Sequence, residues 1–400
     1  MIVHRRAPRV WVFAVEDGAV QLCWRGLRPG VLDIAVQGRV APAALALAEP
    51  DSAGSDGDGP HRCDAGAATI DGLPAGQLLQ IRVTGTSVSS PLELGVRTLA
   101  SLPGAELTRV ATLSDLHIGT QSFGHNGGIV DPEDHDRPHP ARCTEAALGE
   151  AAAWGAQRIV VKGDLTNAGL PHQWRDYAAL VGASPIPVDA MAGNHDCGAY
   201  GGLGSLAPSD AASAFDLSLA LPMLVRDLPG VRLVMADSTI ARHNRGTVAP
   251  VLDDIVDAAA DAPRDGGVLV LLHHQLQPHR WPEGWPVGVG HDESIQFLDR
   301  LGAAHPHALV SSGHTHRNRR WGRAGVVITQ VGSTKDYPGV WAGYRVHEGG
   351  IAQTVHRVER TDCVGWTDHS RTAAFGLWEH VSPGRLDARC FNVAWHGAGN

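Results

Sequence analysis

The sequence predicts a small all-β sandwich followed by a larger α/β domain. Near the N-terminus, the apolar runs in "VWVFAVEDGAVQLCW" lie on either side of Glu16-Asp17-Gly18, which is the pattern of a β-hairpin. From residue 108 onward, short Val/Ile/Leu runs alternate with Ala-rich stretches, as in consecutive strand–helix units. The 400 residues also exceed what one hydrophobic core usually serves. We therefore divide the chain into residues 1–107, residues 108–360 and a C-terminal tail, residues 361–400.

Further strand-like runs complete the first part of the chain. They are "VLDIAVQGRV", "LLQIRVTG" and "LELGVRTL", and together with the hairpin they predict a sandwich of the fibronectin type III kind. Residues 49–60 are polar and Gly-rich, which predicts a loop. No cluster of chemistry-bearing residues occurs in this part of the sequence, so we expect it to pack against the α/β domain or to position it.

The α/β part is predicted from its alternating segments. The strand-like runs are "RVATLSD", "RIVVKGD", "IPVDAMAGN", "RLVMADS", "VLVLLHH", "ALVSSGH" and "VVITQVGS". Helices are expected at "CTEAALGEAAAWGAQ", "PHQWRDYAALVG", "VLDDIVDAAADA" and "DESIQFLDRLGAA". The tail has an irregular pattern with three tryptophans, and we expect it to pack on the α/β domain.

Polar residues follow five of these apolar runs, at the points where the predicted strands end. The motifs are "SDLHIG" (114–119), "GDLTNAG" (163–169), "GNHDC" (193–197), "HHQ" (273–275) and "GHTH" (313–316). In α/β sheets, sites form beyond the carboxyl ends of the strands, so these side chains are expected to converge. The candidate metal ligands are Asp115, His117, Asp164, Asn194, His273, His314 and His316.

The ligand types indicate which ions would bind. Carboxylate, amide and imidazole groups together suit borderline divalent metals such as Mn, Fe, Zn, Co or Ni. Seven such groups exceed the three or four that a single zinc ion takes from a protein. The sequence therefore predicts two divalent transition-metal ions that share a carboxylate.

The order of these motifs resembles that of the calcineurin-like metallophosphoesterase superfamily. The resemblance covers roughly residues 109–345 and depends on D-x-H, G-D, G-N-H-D, H and G-H-x-H occurring in this sequence. It implies a four-layer α/β/β/α sandwich with a dinuclear metal centre. It also implies that Asp164 bridges the two ions, that one ion is bound by Asp115, His117 and His316, and that the other is bound by Asn194, His273 and His314.

The same resemblance assigns catalytic roles to the G-N-H-D motif. His195 is expected to lie just outside the metal ligands and to face the substrate, and Asp196 is expected to orient it. The neighbouring pair His273 and His274 is ambiguous. We favour His273 as the ligand because it ends the strand, although Gln275 stands where the family usually has proline.

The resemblance implies hydrolysis of a phosphoester by a hydroxide held between the metals. Protein phosphatases of the superfamily carry G-D-x-x-D-R-G, which "GDLTNAG" lacks, and Asn167 stands where purple acid phosphatases have a tyrosine. The D-x-H and G-N-H-D motifs are more similar to those of the small phosphodiesterases. We therefore expect a small phosphodiester as substrate, with monoesters a further option. A nuclease of the same superfamily and a non-catalytic metal-binding scaffold are the alternatives.

Composition limits the partners. A formal charge of -9 argues against a surface that tracks extended nucleic acid. No run approaches the roughly 20 apolar residues of a bilayer span, and no export signal is evident, so we expect a cytoplasmic protein. Reduced cysteines are expected, although Cys363 and Cys390 are close enough in sequence to meet in the tail. The oligomeric state is not predicted.

Three other segments adjoin predicted strand ends. We expect residues 121–142 to form a solvated loop and Trp281 and Trp285 to pack, with a place in the substrate pocket as the alternative for both segments. In "GSTKDYPG" (332–339), Lys335 and Tyr337 are candidates for contact with substrate.

Overall fold

The computed structural model describes residues 9–395 except 29, 37–42, 48–64, 125–126, 132–136, 199, 201–203 and 282–283. The loop predicted at residues 49–60 lies outside the described residues. Among the described residues, no helix combines the length and apolarity needed to cross a bilayer.

The N-terminal part consists of strands. They are β1 (Arg9–Val15), β2 (Ala19–Arg25), β3 (Gly30–Val36), β4 (Ala43–Leu47), β5 (Gly66–Asp71), β6 (Leu78–Thr84) and β7 (Leu92–Arg97). They form two antiparallel sheets with the orders β1-β2-β5 and β4-β3-β6-β7. Strand β6 alternates exposed and buried residues, so that Leu79, Ile81 and Val83 face the core. The predicted hairpin joins β1 to β2, where Glu16 N donates to the carbonyl of Ala19 at 2.8 Å.

The α/β part alternates strands and helices. In chain order these are β8 (Glu106–Leu113), β9 (Ser122–Phe123), β10 (Ile129–Val130), α1 (His139–Ala153), β11 (Arg158–Lys162), α2 (Pro171–Gly182), β12 (Val188–Met191), α3 (Pro208–Phe215), β13 (Met223–Leu228), β14 (Val231–Ala236), α4 (Leu252–Ala260), β15 (Gly267–Leu271), α5 (His291–Ala304), β16 (Ala308–Ser312), β17 (Arg319–Arg323), β18 (Val326–Gln330), β19 (Val340–His347) and β20 (Gly350–Arg357). The tail adds α6 (Thr361–Ser370), α7 (Trp378–Val381), α8 (Leu386–Arg389) and β21 (Cys390–Ala394).

Two six-stranded sheets form the centre of this part. Their orders are β12-β11-β8-β19-β20-β21 and β13-β14-β15-β16-β18-β17. Strands β8, β11 and β12 are parallel in the first sheet, as are β14, β15, β16 and β18 in the second. Helices α1 and α2 cover the outer face of the first sheet, and α4 and α5 cover that of the second. The four-layer α/β/β/α sandwich is confirmed.

The core between the two sheets explains why the strands are apolar on both faces. In β8, Val110 faces the opposite sheet, where Leu233 and Leu269 lie, whereas Ala111 and Leu113 face α1. Both faces are therefore removed from water, which is the usual environment of parallel strands.

The tail is more regular than its sequence pattern indicates. Besides three short helices it contains β21, which pairs antiparallel with β20 and so extends the first sheet. Cys390 in β21 accepts a hydrogen bond from the backbone N of Val15 at 3.3 Å, whereas Cys363 is buried in the core beside α1. Both are free thiols, and they lie in different clusters of the core.

Candidate metal centre

The predicted ligands lie beyond the carboxyl ends of strands from both sheets. Asp115 and His117 follow β8, Asp164 follows β11 and Asn194 follows β12, all in the first sheet. The second sheet contributes His273 after β15 and His314 and His316 after β16. Six of these seven side chains are buried, and that of His316 is 14% exposed.

Several of these residues have an unusual backbone. A positive φ, which non-glycine residues rarely adopt, occurs at Asp115 (55°), His117 (49°), Asp164 (48°), His314 (65°) and His316 (52°). Such conformations cost on the order of 1–3 kcal/mol each and cluster at functional sites. The loops thus hold these side chains at an energetic cost that packing elsewhere must offset.

The structure brings the first predicted ligand group together. Ligand atoms of Asp115, His117 and His316 all lie within 4.8 Å of one another. Nε2 of His117 is 3.3 Å from Nε2 of His316, which is 3.6 Å from Oδ1 of Asp115. The Asp115 carboxylate is fixed by the hydroxyl of Ser114 at 2.6 Å and by the backbone N of His314 at 3.0 Å.

The second group lies beside the first. Nε2 of His273 is 3.0 Å from Oδ1 of Asn194, and the ring of His314 packs against that of His273 with centroids 5.0 Å apart. Nε2 of His314 is buried and has no hydrogen-bond partner. A buried imidazole nitrogen without a partner is costly unless something else binds it.

Asp164 lies between the two groups. Its Oδ2 is 3.5 Å from Nε2 of His117, and its Oδ1 is 3.5 Å from Nε2 of His273. Burial opposes ionisation, but the charges of His273 and His195 lower the pKa of Asp164. The carboxylate is therefore ionised, with one oxygen toward each set of imidazoles.

His273 and His274 face different surroundings. Nδ1 of His273 donates to the carbonyl of Lys162 at 2.8 Å, which leaves Nε2 toward Asn194 and Asp164. His274 instead pairs through Nδ1 with the hydroxyl of Ser238 at 2.9 Å. Its ring still packs against His314, and ligand atoms of His273, His274 and His314 lie within 4.8 Å of one another. The geometry therefore favours His273, with His274 adjacent.

The ring of His195 lies beside the first ligand group. It contacts the ring of His117 edge to face with centroids 4.3 Å apart, and Tyr200 stacks on it at 4.0 Å. Its Nδ1 donates to the carbonyl oxygen of Asn167 at 2.8 Å. This contact corrects our expectation for Asp196, because the ring of His195 is oriented by Asn167.

Asp196 supports the loop that carries Asp164. Its carboxylate accepts hydrogen bonds from the backbone N of Leu165 at 3.0 Å, of Thr166 at 2.8 Å and of Gly193 at 2.9 Å. It thereby ties the "GDLTNAG" and "GNHDC" loops together. Burial and the nearby charge of Asp164 raise the pKa of Asp196 to about 7.

Sequence reasoning missed Asp336, which lies in the "GSTKDYPG" stretch. Its Oδ2 accepts a hydrogen bond from Nδ1 of His316 at 2.6 Å. Although burial opposes it, the charges of His316 and Lys335 lower the pKa of Asp336 to about 2. A signal was present, since this carboxylate follows the end of β18 just as the ligands follow their own strands.

The other candidates in nearby segments have mixed outcomes. Nζ of Lys335 lies 4.7 Å from the ring centre of Phe123, which stacks on His316 at 6.1 Å. Tyr337 is buried and faces Arg357. Trp281 and Trp285 are 85% and 74% exposed, so the expectation that they pack is wrong.

His139 corrects the expectation of a solvated loop at residues 121–142. Its ring is fully buried, stacks on Trp366 at 3.9 Å and lies 3.3 Å from Asp131. The described end of that segment therefore belongs to the core rather than to the solvent.

The donor set fits divalent transition metals. Burial and the charge of His273 lower the pKa of His314 to about 3, and burial is also the main cause that lowers the pKa of His117. These imidazoles are therefore neutral at neutral pH, as a metal ligand must be. Together with two carboxylates and an amide oxygen they form a mixed N/O set.

The chain is similar to a known protein family and to known proteins. Residues 108–318 match the model of the calcineurin-like phosphoesterase family. This range is more than half of the chain and includes the seven predicted metal ligands, His195 and Asp196. A probable cyclic nucleotide phosphodiesterase of Rhodococcus erythropolis (strain PR4) is 26% identical over 228 residues, which are 56% of this chain and 69% of that protein.

Two solved structures are similar in outline. A purple acid phosphatase, PPD1, from yellow lupin (Lupinus luteus) is 13% identical with a TM-score of 0.45, covering 88% of this chain and 72% of that one. PhoD is 8% identical with a TM-score of 0.42, covering 86% of this chain and 85% of that one. On the family match, the chain belongs to the calcineurin-like phosphoesterase family and is a metal-dependent phosphoester hydrolase.

Proposed function

We propose that this protein hydrolyses a small phosphodiester at two divalent metal ions. The observation that carries the proposal is Asp164, whose two oxygens lie 3.5 Å from His117 on one side and from His273 on the other. One group would comprise Asp115, His117 and His316, and the other Asn194, His273 and His314. Asp164 would belong to both.

Bound divalent ions would supply positive charge that polarises the phosphoryl group and activates water for attack at phosphorus. The protein must orient the ligand atoms toward the metal ions and keep each ligand in the protonation state that binds metal. Neutral His314 and ionised Asp164 meet that requirement. The left-handed backbone at Asp164 and at His316 fixes the direction in which each side chain leaves its loop.

His195 is the proposed catalytic residue that contacts the substrate. Since Nδ1–H donates to the carbonyl of Asn167, Nε2 is left for the substrate. In the imidazolium form Nε2–H can donate a proton to the leaving oxygen, and in either form the ring can border the phosphoryl group. Tyr200 stacks on the ring with centroids 4.0 Å apart, which restricts the movement of the ring.

Lys335 would add a positive charge near the first ligand group. Lys335 is 4% exposed, and its ammonium lies over the ring of Phe123. The ammonium is 3.3 Å from Asp336, the same carboxylate that accepts from His316. We propose that it attracts a non-bridging phosphoryl oxygen, because a buried cation beside the site favours an anionic ligand.

A cyclic nucleotide is the substrate that we would test first. The relative from Rhodococcus erythropolis is named as a probable phosphodiesterase for that class, and the net charge of -9 argues against extended nucleic acid. The proposed division into residues 1–107, 108–360 and 361–400 then places all proposed catalytic and metal-binding residues in the second part.

The test is hydrolysis by protein stripped with a chelator and reloaded with Mn, Fe, Zn, Co or Ni. Bis(p-nitrophenyl) phosphate, a cyclic nucleotide and a matched monoester should be compared. We expect diester hydrolysis that depends on added metal. Cleavage of long single-stranded or double-stranded DNA in preference to small diesters would favour the nuclease, and metal binding without any hydrolysis would favour the scaffold.

A further inference from the structure

Loop 333–339, between β18 and β19, holds one of the proposed metal ligands in place. Its Asp336 is fully buried and accepts from Nδ1 of His316 at 2.6 Å. With Nδ1 donating to Asp336, Nε2 points toward His117 and Asp115. The orientation of the His316 ring therefore depends on where loop 333–339 places Asp336.

Side chains of the tail bind the backbone on both sides of Asp336. The indole N–H of Trp366 donates to the carbonyl of Lys335 at 2.7 Å, and that of Trp378 donates to the carbonyl of Tyr337 at 3.2 Å. The hydroxyl oxygen of Ser370 accepts from the backbone N of Tyr337 at 2.8 Å. The residues before and after Asp336 are thus fixed by buried hydrogen bonds, each costly to leave unmade.

The N-terminal part in turn holds the tail. Arg25 at the end of β2 donates to Asp368 in α6 at 2.9 Å and to Glu379 in α7 at 2.8 Å. Asp368 is two residues from Trp366, and Glu379 adjoins Trp378. The three charged side chains are only 9–12% exposed. Removing Arg25 would leave these carboxylates only the longer contacts with Arg371 and Arg357, at 3.5–3.8 Å, in a poorly solvated place.

We propose that the tail is a positioning element for His316 and that the N-terminal part keeps it in place through Arg25. The proposal rests on the proposed function only for the role of His316 as a metal ligand. It gives the N-terminal β-structure a task in the metal centre.

The first test is hydrogen–deuterium exchange of the metal-free, full-length protein. Trp366→Phe keeps an aromatic ring in the core but removes the N–H donor, and Arg25→Met keeps much of the side-chain length but removes the charge. We expect exchange in peptides covering residues 333–339 to become several-fold faster in both variants. Arg82→Met is the matched control, because Arg82 pairs with Glu93 on the exposed surface of the same N-terminal part at 3.5 Å. Unchanged exchange in Trp366→Phe and Arg25→Met would overturn the proposal.

The second test measures metal binding and turnover. Titration of the stripped protein with Co²⁺, followed by its visible absorption, should show weaker binding at one of two sites and shifted bands in both variants. In the metal-loaded variants, kcat should fall while KM stays close to the wild-type value. Because Asp336→Ala removes the group that accepts from His316, adding Trp366→Phe to it should weaken Co²⁺ binding no further. Fully additive losses of Co²⁺ affinity would mean that the tail does not act on His316 through Asp336, and would refute the proposal.

These measurements separate the inference from the proposed function. If the wild-type protein binds no metal or cleaves no phosphoester, the proposed function fails. The exchange comparison still tests whether Arg25 and Trp366 control loop 333–339, since it uses protein without metal.

Discussion

The carboxylate of Asp336 lies 2.6 Å from Nδ1 of His316 and accepts a hydrogen bond from that nitrogen. The other ring nitrogen, Nε2, is thereby directed at the space shared with Asp115 and His117. Carboxylate–histidine pairs of this kind fix the tautomer of a ligand and raise its basicity.

Replacing Asp336 with asparagine should weaken metal binding without unfolding the protein. The amide is isosteric but cannot accept the proton with the same strength, so we expect metal affinity or activity to fall by roughly 10–100-fold. Metal content after dialysis against limiting metal, together with the melting temperature, is the measurement. Full metal content at limiting concentrations would show that His316 does not need this partner.

His195→Ala should reduce turnover while metal content remains close to that of the wild type. General acid–base groups contribute roughly 10²–10⁴-fold to rates. Ligand atoms of His195, His117 and Asp164 lie within 4.8 Å of one another, but we assign His195 to neither proposed ligand group. The check is kcat on bis(p-nitrophenyl) phosphate alongside metal analysis.

His172→Ala is the control for that comparison, because His172 is exposed on α2. Loss of metal from His195→Ala, but not from His172→Ala, would mean that His195 is itself a ligand.

His273→Ala and His274→Ala should differ in their effect on metal. Nε2 of His273 faces Asn194 and Asp164, whereas His274 is bonded to Ser238. We expect His273→Ala to lose one of two bound ions and His274→Ala to retain both, as measured by elemental analysis. The reverse result would make His274 the ligand.

Acid should loosen the contact between the N-terminal part and the α/β part through Glu16. Burial alone would raise its pKa, but the hydrogen bond and charge of His356, with Trp154 and Arg345, lower the pKa of Glu16 to about 2. A carboxyl group whose pKa is lower in the folded state stabilises the fold at pH values above its ordinary pKa of 4.5. That stabilisation is lost as the pH falls toward 2.

The full contribution is on the order of 3 kcal/mol. The difference in unfolding free energy between the wild type and Glu16→Gln should therefore be large at pH 7 and shrink between pH 4.5 and pH 2. Chemical denaturation at several pH values measures it, with Glu93→Gln, exposed on β7, as control. A difference that does not vary with pH would show that Glu16 is not held ionised by these partners.

Much of the fold could be predicted because its signals are local. Alternation of apolar runs with Ala-rich stretches is visible within a few dozen residues, and so is the hairpin around Asp17. The partner of each edge strand was not visible in this way. Strand β21 pairs with β20 through contacts such as Thr354 with Cys390, and no local pattern in the tail distinguishes that strand from irregular chain.

The site could be predicted in its ligands but not in their supports. Asp115, Asp164 and the histidines are recognised by side-chain type at strand ends, where topology makes them converge. His195 is held by the backbone carbonyl of Asn167. Since every residue has a backbone carbonyl, the sequence gives no signal for this contact. Likewise, the tail contacts the residues on either side of Asp336 through hydrogen bonds between residues far apart in the chain, which no local pattern shows.

Metal stoichiometry of the wild type beside Asp164→Asn tests the central claim most directly. The account predicts two divalent ions per chain in reloaded wild-type protein, and loss of at least one ion together with diester hydrolysis in Asp164→Asn, because that carboxylate faces both groups of imidazoles. A wild type that binds one ion or none, or an Asp164→Asn protein that keeps two ions and full turnover, would contradict it.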